Sequence, residues 1–173
     1  MNDIKIHSTT TTQELLDKIR LTRLRGFDEF PIYEKAEITL KQGVIPCVLS
    51  PCQRYVLKDT VETVEKLWKG FKKQHDVDIF KLTGSINFSI DGGPVLPLIP
   101  PVVEYSLEED GTHLIVNDGM HRVYTARALR ETINTIFVNE VPSEYPYYAY
   151  PLKNKWIDVE EITGLTQGFV KKT

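Results

Sequence analysis

One stretch constrains this chain more than any other: His113-Leu-Ile-Val-Asn-Asp-Gly-Met-His-Arg-Val-Tyr-Thr-Ala-Arg-Ala-Leu-Arg130. Its apolar start, Leu114 to Val116, predicts a short buried strand. The chain breaks at Asp118-Gly119 and then runs without Gly or Pro to Arg130, which predicts a helix. A second strand is expected over Thr132 to Val141. Strand, glycine turn, helix and strand make a compact α/β unit whose turn suits an anion. The first N–H groups of a helix lack internal partners, and Gly119 lets a ligand approach the backbone. His121 and Arg122 add side-chain donors there, and an arginine can grip phosphate through two parallel bonds.

The rest of the chain reads around that unit. Residues 1–10 have no strong pattern and are expected to be poorly ordered. Thr11 and Glu14 have capping-box spacing, opening a helix from Gln13 to Arg25 that Gly26 stops. Its arginines, Arg20, Arg23 and Arg25, form either a solvated face or a grip on a phosphate or partner. Phe27 to Tyr33 reads as a connector, and Glu34 to Leu40 and Val44 to Leu49 as strands. Asp59 is expected to cap a helix over 59–74 whose stripe of Val61, Val64, Leu67, Trp68 and Phe71 is core. Gly84 to Ile90 alternates as a half-exposed strand, and Val102 to Tyr105 forms another before a polar hairpin turn at Glu108 to Gly111. After Val141 comes a Tyr/Pro-rich run to Pro151, either a stacking surface or an extended packing segment. Residues 152–165 could add a last short helix. The expected division is an N-terminal extension with one helix (1–36), a central domain (37–141) and a C-terminal extension packed on it (142–173).

Pro100-Pro-Val-Val103, a short turn, an apolar strand, Asp118-Gly-Met-His-Arg122, an Ala-containing helix and a further strand together resemble the ParB/sulfiredoxin superfamily. The likeness is clearest over Pro100 to Val141 and looser back to Glu37. It implies an α/β (α+β) protein: a small mixed sheet with flanking helices and a nucleotide site at this turn. ParB proteins hold CTP there on a Gly-Glu-Arg-Arg segment. Sulfiredoxin holds ATP on Gly-Gly-Cys-His-Arg, and the free-serine kinases place Asp-Gly-His-His-Arg at the phosphoryl-transfer site. By position, Gly119, Met120, His121 and Arg122 would bind nucleotide, and Asp118 takes the place of the kinase-like Asp. Met120 stands where sulfiredoxin has its reactive Cys, and neither Cys47 nor Cys52 replaces it, so thiol-based repair is excluded. Residues 142–173 are too few for the helix-turn-helix domain of ParB, which argues against chromosome partitioning.

What the resemblance implies is binding of ATP, ADP or CTP with Mg²⁺, and phosphotransfer or hydrolysis directed at a small hydroxylated acceptor. Asp118 would be metal ligand or base (or, more simply, a helix cap), with His121 beside it. A second carboxylate would come from elsewhere: Glu104, Glu34 or, as the ranked candidate, Glu37. The alternative is a nucleotide-sensing or protein-interacting module without catalysis. A ParB-like nuclease is disfavoured, since a formal net charge of -3 over 173 residues offers no broad grip on DNA. No apolar run approaches a membrane span, no signal-peptide pattern opens the chain, and two isolated cysteines fit a reduced, cytoplasmic protein.

Overall fold

The computed structural model describes residues 3–24, 27–141 and 150–164, without the side chains of 24 and 27–29. In chain order the elements are β1 (Ile4–Thr9), α1 (Thr12–Arg20), β2 (Arg23–Leu24), β3 (Phe27–Pro31), β4 (Glu37–Val44) and β5 (Tyr55–Leu57). There follow α2 (Lys58–His75), β6 (Ile86–Ile90), β7 (Leu96–Leu98), β8 (Val102–Glu108), β9 (Gly111–Asp118), α3 (Met120–Ala128), β10 (Ile133–Asn139) and β11 (Glu160–Ile162).

A mixed four-stranded sheet, ordered β4-β10-β8-β9, is the centre. Its middle pair, β10 and β8, runs parallel because α3 carries the chain across, while β4 and β9 pair antiparallel on either side. One face packs Val103, Val116 and Ile133 against Val64 and Phe71 of α2 and Met120, Val123 and Ala126 of α3. The other face packs Val102, Ile136 and Val138 against Leu15 and Ile19 of α1 and against Tyr33 and Ala36. Burial on both faces explains why β10 reads as a continuous apolar run broken only by Asn134 and Thr135. A second sheet, β1-β6-β7, covers the far end of α2, and a parallel pair, β11-β5, leads into that helix. The mixed α/β class and small mixed sheet expected from the sequence are therefore what forms.

Several expectations need correction. Residues 4–9 are a strand, antiparallel to β6, so only 1–2 of the supposed disordered start fall outside the described residues. The Thr11/Glu14 capping box is present, but α1 ends at Arg20. Arg20 is neither a solvated charge nor a phosphate grip: it donates to the carbonyls of Glu34 and Ala36, at 3.1 and 2.9 Å. The helix stop assigned to Gly26 lies outside the described residues. Phe27 to Pro31 pairs with β2 instead of forming a simple connector. The Val44 to Leu49 strand is a short 3-10 turn over Pro46–Val48, placed by the ring of Pro46. Where a helix was expected over 152–165, the described residues 152–164 make a 3-10 turn at Lys155–Asp158 and then β11. Most of the Tyr/Pro-rich run (142–149) lies outside the described residues. Since β1 completes a sheet and α1 one face of the core, residues 4–36 are structurally continuous with the central body.

Candidate functional site

The strand β9 delivers the chain to Gly119, which sits at φ +83° and hands over directly to α3. Two features fix glycine there. The left-handed conformation disfavours any side chain, and a Cβ would stand 2.7 Å from Arg122 Nη2 and 2.9 Å from Pro101 Cβ. The turn is thus packed from both sides by its own motif and by the start of β8.

Arg122 is folded back under this turn. Its Nη1 donates to the carbonyl of Ile99, just after β7, and its Nη2 donates to Asp118 Oδ2 at 2.9 Å. The ion pair is asymmetric: the Arg122 side chain is 15% exposed and that of Asp118 59%. Burial lowers Arg122 from the ordinary guanidinium value, and the charge and hydrogen bond of Asp118 act the other way. His121 does not reach outward as a donor. Its Nε2 accepts the backbone N–H of Leu57 at 3.1 Å, which requires an imidazole with that nitrogen unprotonated. Burial moves its pKa downward, in keeping with the neutral ring. Leu57 is the N-cap residue of α2, which has no side-chain cap; Asp59 lies inside the first turn and does not cap it. One histidine therefore ties the starts of α2 and α3 together.

Between those two helix starts lies a cleft of about 550 Å³. Asp118, Gly119, Met120, His121 and Arg122 all line it, with Asn117, Thr60 and Val64, Gln53, and a wall of Pro97, Leu98 and Ile99. Of these lining residues, the five of the motif are the candidates that the sequence offered, and the others were not among them. Thr60, three residues past the N-cap of α2, could have been marked as a helix-start residue. Nothing local marked Gln53 or the Pro97–Ile99 wall, which arrives from another sheet.

The proposed carboxylates part company. Asp118 is on the cleft. Glu37 is exposed at the start of β4, in register with Asn139 of β10. With β10 and β8 between it and β9, it stands three strand spacings from Asp118, roughly 14 Å at about 4.8 Å each, and the fold does not bring it to the turn. Glu34 is also exposed. Glu104 comes nearest: 2% exposed, it accepts the Tyr33 hydroxyl and, at 2.6 Å, Asn117 Nδ2, and Asn117 precedes Asp118. Burial, and then the charge of Glu104, push the Tyr33 phenol well above its ordinary range. Among the described residues no group of three or more His, Cys, Asp or Glu could hold a metal without a ligand's help. A Mg²⁺ held by one carboxylate together with phosphate oxygens fits Asp118, whose carboxylate is largely exposed.

A Ser-His-Asp chain also occurs, on the outer edge of β9. Ser50 Oγ lies 3.2 Å from His113 Nδ1, and His113 Nε2 2.8 Å from Asp110 Oδ1. Ser50 is only 1% exposed, and its backbone bonds both Leu114 and Val116. The chain pins residue 50 to β9, and its hydroxyl is closed to substrate.

A four-stranded mixed sheet with a glycine turn feeding a helix, and a cleft over that turn, defines a ParB/sulfiredoxin-like protein. The narrower family follows from sequence comparison: the model of the ParB CE domain matches residues 14–160, and the chain belongs to that family. No curated protein matches the chain significantly. No helix among the described residues is long and apolar enough to cross a membrane.

Proposed function

We propose that the cleft binds a nucleotide, with its phosphates at the starts of α3 and α2. The observation that carries this reading is that all five residues of Asp118-Gly-Met-His-Arg122 line one cleft, together with Thr60 from the first turn of a second helix. The start of α3 gives this space the unpartnered N–H groups and positive dipole end of a helix, and α2 borders it with its own first turn at Thr60. Neutral His121 orients both helices rather than supplying charge. Arg122 commits two of its five N–H donors, so its buried cation can still face phosphate oxygens while Asp118 stays paired. Pro97, Leu98 and Val64 offer an apolar wall of the kind a base or sugar packs against.

ATP, ADP and CTP are the ligands to try first, with Mg²⁺ held by Asp118 and phosphate oxygens. When bound, the ion neutralises phosphate charge and polarises the bond to be broken. Phosphotransfer to a small hydroxylated acceptor is the catalytic version of this reading. Nucleotide sensing without turnover is the second version, and it has its own support: Asp118 is the one carboxylate lining the cleft among the described residues.

Calorimetric titration of ATP, ADP and CTP, with and without Mg²⁺, tests the reading on wild type and on Thr60→Glu. Thr60 is partly exposed and outside the core, so the added carboxylate repels phosphate without disturbing packing. Binding in wild type that is lost in Thr60→Glu supports the site. Absence of binding by all three nucleotides refutes it. Product formation, followed in parallel, separates turnover from sensing.

A further inference from the structure

Successive residues of a strand normally face opposite sides of the sheet. At the end of β9 that rule is broken. Val103 pairs with Val116 but Val102 pairs with Asp118, so Asn117 is the extra residue of an irregularity in the ladder. Such an insertion re-aims side chains, and here Asn117 and Asp118 both line the cleft.

The orientation of the Asn117 amide is set from behind. Its Nδ2 donates to Tyr33 Oη at 2.8 Å and to Glu104 Oε1 at 2.6 Å, while Tyr33 Oη donates to Glu104. These three groups close a ring in which every donor has an acceptor. Turning the amide over would set its oxygen against the oxygens of Glu104 and Tyr33, both 2% exposed. The nitrogen must therefore face inward. The amide oxygen is the atom left for the cleft, and it can only accept.

We propose that Asn117 is a specificity residue of the cleft, its Oδ1 accepting a hydrogen bond from a neutral donor on the nucleoside part of the ligand, with the buried Tyr33–Glu104 pair as its positioning device. The proposal rests on the nucleotide reading above. Phosphate offers no donor at neutral pH, so the partner lies on the nucleoside. Two groups there have the required chemistry, a sugar hydroxyl and an exocyclic base amine. A buried carboxylate kept beside a ligand cleft is weak evidence for stability, since an apolar pair of equal volume commonly serves as well. Fixing the polarity of one amide is a use that an apolar pair could not serve.

The test is calorimetry with ATP, its 2′,3′-dideoxy analogue and its analogue lacking the 6-amine (or the matching CTP series if CTP binds more tightly). Wild type should bind one of the two analogues about five- to tenfold more weakly than the parent, the worth of one neutral hydrogen bond. Loss with the dideoxy analogue identifies the sugar, and loss with the des-amino analogue the base. In Asn117→Ala the discrimination should vanish. Tyr33→Phe/Glu104→Leu, which removes the ring while keeping it apolar, should keep a cooperative melt yet lose most of the discrimination; a merely structural pair would shift the melt and leave the ratio unchanged. Equal affinity for all three ligands in wild type, or discrimination that survives Asn117→Ala, overturns the proposal. Failure of the parent nucleotide to bind at all would instead sink the nucleotide reading on which it rests.

Discussion

Replacing Gly119 with Ala should be among the most damaging single-methyl additions the chain can suffer. The backbone at φ +83° costs an L side chain on the order of 1–2 kcal/mol. Beyond that, the new Cβ falls 2.7 Å from Arg122 Nη2 and 2.9 Å from Pro101 Cβ, and Pro101 is buried at the head of β8. The guanidinium must move, and it is held by the Ile99 carbonyl and by Asp118. Hydrogen bonds to charged groups are worth about 1.5–3 kcal/mol each, so losing most of one brings the total to about 4 kcal/mol. Gly92 supplies the control: its φ of +72° is similar, but nothing lies within 4 Å of its notional Cβ. Gly92→Ala should cost only about 1 kcal/mol, partly offset by a stiffer unfolded chain. With a urea slope of about 2 kcal/mol per molar, the midpoints should fall by about 2 M and 0.5 M respectively. If the two variants lose the same amount, Arg122 is not packed against the turn as described.

Other consequences can be measured on the same purified protein. Arg122→Ala should destabilise by about 2–3 kcal/mol in urea, because it leaves the Ile99 carbonyl unpaired, and Arg122→Lys should recover little, since a point charge cannot serve both partners. His121 should titrate below the ordinary histidine value of about 6.5, with its proton on Nδ1 at neutral pH by nitrogen chemical shift. Because the folded pKa is the lower one, the unfolded state binds the proton first. Its contribution to stability is complete above about 6.5 and is lost as pH falls through the depressed folded value; a His121→Gln variant should lose that part of the pH dependence. Thr135 is fully buried in β10 and its hydroxyl lacks a partner among the described residues, so Thr135→Val should raise stability by about 1 kcal/mol. An unchanged or lower melting temperature would mean the hydroxyl has found one.

What could be read from residues alone was local. The strand, glycine turn, helix and strand over 111–139 came from apolar runs and one Gly, and α2 from a stripe at helical spacing, because each signal is complete within about twenty residues. The five cleft residues of the motif came with them. What was missed depends on partners far along the chain. The strand β1 alternates only weakly and is defined by β6, and Arg20 looked solvated because its acceptors lie beyond a hairpin. Tyr33 sat in a supposed connector, and Glu104 could not be ranked because burial of a carboxylate leaves no periodic trace. Asn117 was the least legible of all. Its direction depends on a slip in the β8–β9 ladder and on the hydrogen-bonded ring behind it. Choosing Glu37 failed for the same reason: proximity along a likeness does not say how many strands intervene.

The pairing of distant segments also sets how such a chain must be made. The first strand, 4–9, has its partner at 86–90; β4 waits for β10 at 133–139; and Trp156 closes the bottom of the body by donating to the carbonyls of Pro46 and Leu49. During synthesis at roughly 5–20 residues per second, β1 spends several seconds outside the ribosome before anything exists for it to pair with. Local helices and the β2–β3 hairpin can form in that time, but neither the four-stranded sheet nor the β1-β6-β7 sheet can be completed from an early portion of the nascent chain. The pairing of β1 and of β4 therefore lags well behind their synthesis, and the nascent β1 and β4 are the segments a chaperone would meet.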